Sequence, residues 1–315
     1  MSHQKIKAAI IGLGDIAQKA YLPILTSHTA VDLMLYNRSP EPLIRIQNQY
    51  RIESGTTSLE EVINSKPQAA FVLTSSSSHF NIVKHLLENE IDVFVEKPAT
   101  LNSWETEELA ELADKNNRIL MVGFNRRFAP LHVKMKKAWG DTLVSMGIFQ
   151  KFRTSAAHPS LKHQLIDDTI HQVDILRFYC GDGRVDKITQ DTVPGSFLGA
   201  VGTVRLDNGG IGVIATNMKA GRWQERYVLF GGQKTLQVEA FSEAILTQGN
   251  EQCCWNETYA SSWQTTLKGR GFVDEIEHFF ECLETRRTPL TSAWDSVKTQ
   301  RLIEEIADLG EVDQN

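Results

Sequence analysis

Residues 12–17 read Gly-Leu-Gly-Asp-Ile-Ala, a G-x-G-x-x-A pattern that follows a short apolar run and precedes a helix-compatible stretch. In that setting Gly12 permits a tight turn, Gly14 lets backbone approach a pyrophosphate, and Ala17 is small enough for close helix–strand packing. Asp15 and Ile16 open the helix, whose first N–H groups lack partners and favour an anion. A glycine turn with no ligand has the same local sequence. Placement at the first strand of a β-α-β unit favours a dinucleotide.

The end of the second strand selects which dinucleotide. An NAD site usually carries Asp or Glu there, accepting from the ribose 2′-OH. This chain has Tyr36-Asn37-Arg38-Ser39, and its nearest acid, Asp32, starts the strand at the wrong end. A neutral Asn37 followed by Arg38 suits a 2′-phosphate, which the guanidinium can pair with while stacking on adenine. NADP is therefore expected, with NAD open; the alternative is that Arg38 is a solvated loop charge.

Three further groups have chemical potential. Thr74-Ser75-Ser76-Ser77-Ser78-His79 joins a strand to a helix at the sheet edge where ligands bind. Hydroxyls of Thr74, Ser75 and Ser76 would line the cofactor, with His79 beside them as a helix-start residue rather than a catalyst. Lys97 follows the fourth long strand within Glu96-Lys97-Pro98, where the proline holds the preceding residue extended and admits a cis bond. By itself this is equally a surface Lys-Pro turn. Asp167, His171 and Asp174 fall on one side of a helix by their spacing. A carboxylate beside histidine fixes its tautomer and stabilises its cation. The same residues also fit an N-cap at Asp167 or Asp168 and a core histidine at 171. Spacing alone leaves those two readings level.

These residues need elements to hold them. Residues 5–11, 31–36, 69–74, 91–95 and 118–122 read as strands. Helices fit 15–27, 40–50, 58–64 with Ser58 as cap, 79–89 and 103–116. The alternation implies right-handed crossovers and a parallel sheet. After Gly123 the rhythm changes. A helix at 130–138, a strand near 142–152 and a helix at 168–179 precede six strand-like segments within 185–248, with hairpin signals at 207–210 and 231–232. Helices return at 272–284 and 293–308. The fold class is α/β: a dinucleotide-binding domain over 1–122, then an α+β domain over 123–315 with a large, mostly antiparallel open sheet. Its last helices have the option of packing back on the first domain.

Composition narrows the function classes. With 41% apolar and 23% charged residues among 315, the chain is globular. A net charge of −6 argues against nucleic acid, and no apolar run is long enough to span a bilayer. The four cysteines form no CxxC pair and the nine histidines no HExxH, so no metal is expected. Reduced thiols and no leader pattern suit a cytoplasmic protein.

Together, GLGDIA at 12–17, the 74–79 segment, Glu96-Lys97-Pro98, GFNRRFAP at 123–130 and DDTIHQVD at 167–174 resemble the Gfo/Idh/MocA oxidoreductases. The start GDIAQKAYLP and GFNRRFAP look closest to the MviM-like, virulence-factor-like branch. The order of the motifs covers almost the whole chain. Two positions depart from the family pattern: Ser75 stands where proline is frequent, and Thr169 where D-x-G-x-H has glycine. The acid and the histidine are kept.

The resemblance implies a Rossmann domain, pyridine-nucleotide chemistry on a sugar, polyol or related carbonyl compound, and a homodimer or homotetramer built through the open sheet. It carries over Lys97, Asp167 and His171 as catalytic, with Asp174 mainly structural. In that scheme His171, assisted by Lys97, moves the hydroxyl proton; Lys97 also positions the oxygen, and Asp167 orients His171 or a substrate hydroxyl. Glu96, Lys97 and Arg127 join the cofactor contacts, with Arg126 or Arg127 available to an anionic substrate. Arg153, His158, Lys162 and His163 in 153–163 are pocket-border candidates whose basic balance hints at an acidic or phosphorylated substrate; a solvated loop fits equally. Two other functions remain open: a redox-neutral enzyme that uses a tightly held nicotinamide transiently for elimination or hydrolysis, and a non-catalytic NADP-binding sensor.

Overall fold

The computed structural model describes residues 5–155, 158–194, 196–257 and 263–312. The chain divides into two compact units. The first contains residues up to 124 together with 272–297; the second contains 125–271 and the residues from 298 on.

In the first unit six parallel strands are β1 (Ile6–Ile11), β2 (Val31–Tyr36), β3 (Gly55–Thr56), β4 (Ala69–Val72), β5 (Asp92–Glu96) and β6 (Leu120–Gly123), ordered β3-β2-β1-β4-β5-β6. This is the doubly wound order that places its switch point between β1 and β4. β4, β5 and β6 are buried along their whole length, as strands covered on both faces must be, which explains their unbroken apolar sequence. The helix Phe272–Thr285 belongs to this unit. Its Phe279 packs on Phe71 and Phe94, and its Phe280 on Phe71, at 5.4–5.9 Å between ring centroids. The option that a late helix returns to the first domain is thus realised by an aromatic cluster.

The second unit carries an eight-stranded sheet. Its strands are β7 (Met146–Phe152), β8 (Gly183–Val193), β9 (Ser196–Leu206), β10 (Ile211–Asn217), β11 (Gln224–Gly231), β12 (Lys234–Glu239), β13 (Glu243–Gln248) and β14 (Glu251–Asn256). The order is β14-β13-β12-β11-β7-β10-β9-β8, and every neighbouring pair is antiparallel except β7 with β10. Strand β14 was not read from the sequence, because EQCCWN lies on an edge and lacks a buried alternation.

Local corrections cluster at the functional segments. The helix after the glycine turn contains a π segment, Ala17–Tyr21, before Leu22–Leu25; the Leu22 N–H bonds the Ala17 carbonyl five residues back. That widened turn leads directly into Pro23, which has no N–H of its own to place. Ser76, Ser77 and Ser78 are the first turn of the helix Ser76–Glu88 rather than loop, and Ser75 is its N-cap. Ser58 caps Leu59–Asn64 by accepting from the Glu61 N–H.

Candidate functional site

In the first unit the carboxyl edge of the sheet forms a cleft of about 700 Å³. It is lined by Gly12 to Ile16, Tyr36 to Ser39, and Thr74, Ser75, Ser77 and Ser78, a volume within the range that holds a nucleotide. Gly12 has φ of +96°, and a Cβ there would lie 2.7 Å from the Thr74 side chain and 2.9 Å from its backbone nitrogen. Its glycine is required by both conformation and contact. Gly14 is different: a Cβ there meets nothing within 4 Å, so protein packing does not demand glycine at this position. The open space at Gly14 faces the cleft and leaves room for a pyrophosphate to approach the backbone, so the residues present fit that group.

The ends of β1 and β2 are tied together by Asn37. Its Oδ1 accepts from the Leu13 N–H at 3.4 Å and its Nδ2 donates to the Ser39 carbonyl at 2.9 Å. Asn37 therefore positions the loop with both ends of its amide. Arg38 is exposed and makes no hydrogen bond or ion pair among the described residues. Asp15 is exposed and pairs with Lys19 one turn on, at 2.8 Å.

Behind the cleft, His79 is almost fully buried. Its Nδ1 lies 2.9 Å from the Pro98 carbonyl and its Nε2 3.0 Å from the Thr74 carbonyl. Burial pushes its pKa down, against the two carbonyls. Both nitrogens face backbone carbonyls, and the single N–H of the neutral ring donates to one of them, so the expected contact between His79 and the cofactor gives way to a positioning role. The imidazole joins the 74–79 segment to the turn carrying Lys97. The Lys97–Pro98 bond is cis. Glu96 is buried and accepts from the Tyr21 hydroxyl at 2.9 Å; the same hydroxyl lies 3.4 Å from Glu275. Burial, then the charges of Glu96 and Glu275, push the phenol pKa up, so Tyr21 stays a donor. The sequence reading missed Tyr21 and Glu275; a tyrosine and an acid on the apolar faces of two helices were the available signal.

In the second unit the segment 161–180 is one helix with a π interruption: Leu161–Gln164, Leu165–Thr169 and Ile170–Cys180. Its N-cap is Ser160, which accepts from the His163 N–H, so neither Asp167 nor Asp168 is a cap. The loop expected over 153–163 therefore ends three residues early. Ala156 and Ala157 lie outside the described residues. Asp167 is exposed and pairs with His158 at 3.1 Å, while His171, on the same helix, is half-buried. Lys162 and His163 are exposed.

The buried acid is Asp168. It accepts from Arg153 through both carboxylate oxygens, from Gln164 at 3.0 Å, and from Lys151 at 2.7 Å. Lys151 also reaches the Asp168 carbonyl and Glu225, and Arg126 holds Glu225 with two bonds of 2.9 and 2.6 Å. Burial would raise the Asp168 pKa, but the Arg153 bond and the Lys151 charge hold it at about 2. Burial pushes Lys151 down to about 8, with Glu225 opposing. The signal for this cluster was a charge at an inward strand position: Lys151 follows Phe149 on β7, and Glu225 precedes Tyr227 on β11, on the buried alternation of each strand. Arg127 forms a buried bidentate pair with Asp174 at 2.9 and 2.6 Å. That pairing gives Asp174 the structural role expected of it and commits two of the Arg127 donors, Nε and Nη2, within this unit, against their assignment to a cofactor.

Among the described residues no group of three or more His, Cys, Asp or Glu could hold a metal ion, and no helix is long and apolar enough to cross a membrane.

Comparison with known proteins agrees with this geometry. A family model described as "Oxidoreductase family, NAD-binding Rossmann fold" matches residues 6–124. The chain is 32% identical over 313 residues to "Putative oxidoreductase YceM" of Salmonella typhimurium, covering 95% of this chain and 96% of that one. It is 24% identical to "scyllo-inositol 2-dehydrogenase (NAD(+))" of Bacillus subtilis, over 94% and 91% of the two chains. The crystal structure of the dehydrogenase MviM from Clostridium difficile superposes with a TM-score of 0.88 at 28% identity, covering 97% of this chain and 99% of that one.

Proposed function

The chain belongs to the Gfo/Idh/MocA family of NAD-binding oxidoreductases, and from that premise we propose that it is a sugar or polyol dehydrogenase that prefers NADP(H). The observation that carries the preference is Arg38, exposed and unpaired among the described residues at the cleft, where an acid would otherwise receive the ribose 2′-hydroxyl.

The residues available to the dinucleotide are the N–H groups after Gly12 and Gly14 for the pyrophosphate, Arg38 and the uncommitted Ser39 hydroxyl for a 2′-phosphate, and Ser75 and Ser77 along the third side of the cleft. When bound, the nicotinamide supplies a hydride acceptor or donor. The protein's part is the proton and the oxygen. His171 takes the hydroxyl proton as the alcohol is oxidised and returns it in the reverse direction. Lys97 donates to the substrate oxygen and stabilises its alkoxide character. Asp167, exposed on the same helix as His171, is the acceptor for a substrate hydroxyl. The half-exposed face of β7, β10 and β11 supports self-association as a homodimer or homotetramer, which light scattering tests.

The experiment is a fluorescence titration of the cofactor-stripped protein with NADPH and NADH, repeated with Arg38→Ala. The variant is expected to lose NADPH affinity and keep NADH affinity. Equal losses, or equal wild-type affinities, refute the NADP assignment. Absence of binding by either nucleotide refutes the dehydrogenase reading.

A further inference from the structure

The charge cluster beside helix 161–180 is unbalanced, and the imbalance bears on the substrate. Three cations, Arg126, Lys151 and Arg153, face two carboxylates, Asp168 and Glu225. Lys151 and Glu225 are 1% exposed, Arg126 10% and Asp168 11%. These four buried charges balance, two cations against two carboxylates, as the cost of an uncompensated buried charge requires; the cation in excess is Arg153, 41% exposed at the edge of the cluster.

We propose that Arg153 is the anion-binding contact of the substrate site, and that the hydroxyl-bearing substrate carries a carboxylate or a phosphate. The inference rests on the dehydrogenase reading for the substrate's hydroxyl, and on Arg153 alone for its charge. Arg153 spends Nε and Nη2 on the two oxygens of Asp168, which fixes the guanidinium plane. Its Nη1 has no partner among the described residues, and the side chain is 41% exposed, so this edge faces outward. Its backbone is held from both directions: the Arg153 N–H donates to the Asn217 carbonyl and its own carbonyl accepts from Ala220. The donor is thus in place before any ligand arrives, which lowers the entropic cost of binding.

Lys151 is the support. Its three bonds, to Asp168 Oδ1, the Asp168 carbonyl and Glu225, leave it unable to touch a ligand, but they share the Asp168 charge and so leave the cluster with Arg153 net positive toward an arriving anion. Thr216 stands opposite Lys151 in register, and its buried hydroxyl has no hydrogen-bond partner among the described residues. Polar capacity beside the cluster therefore exceeds what the fold uses. Asp168 is next in sequence to Asp167, which ties the anion contact to the helix bearing the assigned acid and histidine.

The test is calorimetric binding rather than turnover. Aldonates, uronates and polyol phosphates are each titrated beside the neutral polyol of the same carbon skeleton, into wild-type protein with and without NADPH. At least one acid is expected to bind about tenfold or more tightly than its neutral counterpart, as one charge-assisted contact provides. Preference confined to the aldonates and uronates, or to the phosphates, identifies the source of the anion. Arg153→Gln is expected to erase the preference, so that each acid binds no more tightly than the neutral polyol of its own skeleton. Should that variant not fold, Arg153→Lys, which can hold Asp168 but lacks the second N–H edge, is read in its place. Equal affinity for acids and neutrals in the wild type overturns the proposal, and so does a preference that survives the Arg153 substitution. Loss of NADPH binding with the acid preference intact would overturn the dehydrogenase reading instead.

Discussion

Replacing Lys151 with methionine removes a buried cation and keeps a side chain of similar length in the sheet. Burial pushes the lysine pKa from 10.5 to about 8. At about 1.4 kcal/mol per unit, that difference disfavours the folded, charged form by about 3 kcal/mol. That difference already contains the attraction of Asp168 and Glu225. Lys151→Met escapes the penalty but loses the Nζ hydrogen bonds, so it is expected to lie within about 2 kcal/mol of the wild type at neutral pH. The pH dependence is the sharper reading. Below pH 8 folded and unfolded chains both hold the proton, and the full penalty applies. Between 8 and 10.5 the folded lysine sheds its proton first, the unfolded chain binds more protons, and stability rises with pH. From about pH 7 to pH 9.5 the wild type therefore regains about 2 kcal/mol relative to Lys151→Met, in which other titrations cancel. Urea unfolding of both proteins at the two pH values measures it. A wild-type-minus-variant difference that stays flat refutes the buried-charge argument. So does a methionine variant more than about 4 kcal/mol less stable at neutral pH, which would mean that the cluster needs the charge.

Other outcomes follow from the same structure. Glu225→Gln leaves Arg126 and Lys151 without their carboxylate and is expected to cost about 3–5 kcal/mol in urea unfolding. Because the cations beside Glu225 outweigh its burial and hold its pKa below 4.5, the stability it contributes is present above that value and lost as pH falls. Gly12→Ala forces a Cβ against Thr74 at positive φ and should destabilise the first unit by about 2–4 kcal/mol; an unchanged melting temperature would refute the packing role. Lys97→Ala is expected to lower turnover about 10²–10⁴-fold while NADPH affinity, read by fluorescence, stays nearly intact; unchanged turnover removes Lys97 from the mechanism. Arg38→Ala should weaken NADPH about 10–100-fold by loss of a charge-assisted phosphate contact and leave NADH within about twofold.

Local chemistry was legible wherever a residue answers to its immediate neighbours. Gly12 is glycine because its own φ is positive, Ser58 caps its helix by accepting from the N–H three residues on, and β4 to β6 are apolar because parallel strands are covered on both faces. The strand–helix alternation of the first 122 residues and the hairpin rhythm after Gly183 follow from the same short-range rules. Distance in sequence hid the rest. Phe279 and Phe280 sit in a late amphipathic helix whose partner, Phe71, lies some two hundred positions earlier, and apolar periodicity does not name a partner.

The two π segments, at Ala17–Tyr21 and Leu165–Thr169, had no local signature either. A π turn adds a residue to the helical repeat and rotates every side chain after it, so a spacing rule that assumes 3.6 residues per turn assigns faces incorrectly across it. Sequence alone placed a helix through His171 and left Asp167 and Asp168 either on its face or at its N-cap, because short-range pattern goes no further. The tertiary structure decided that Asp168 is the buried acid and Asp167 the exposed one, because Lys151 on β7, which pairs with β10 and β11, and Arg153 just past its end reach the first. Buried charges are set by partners across the fold, and their cost without those partners is what makes the choice a tertiary one.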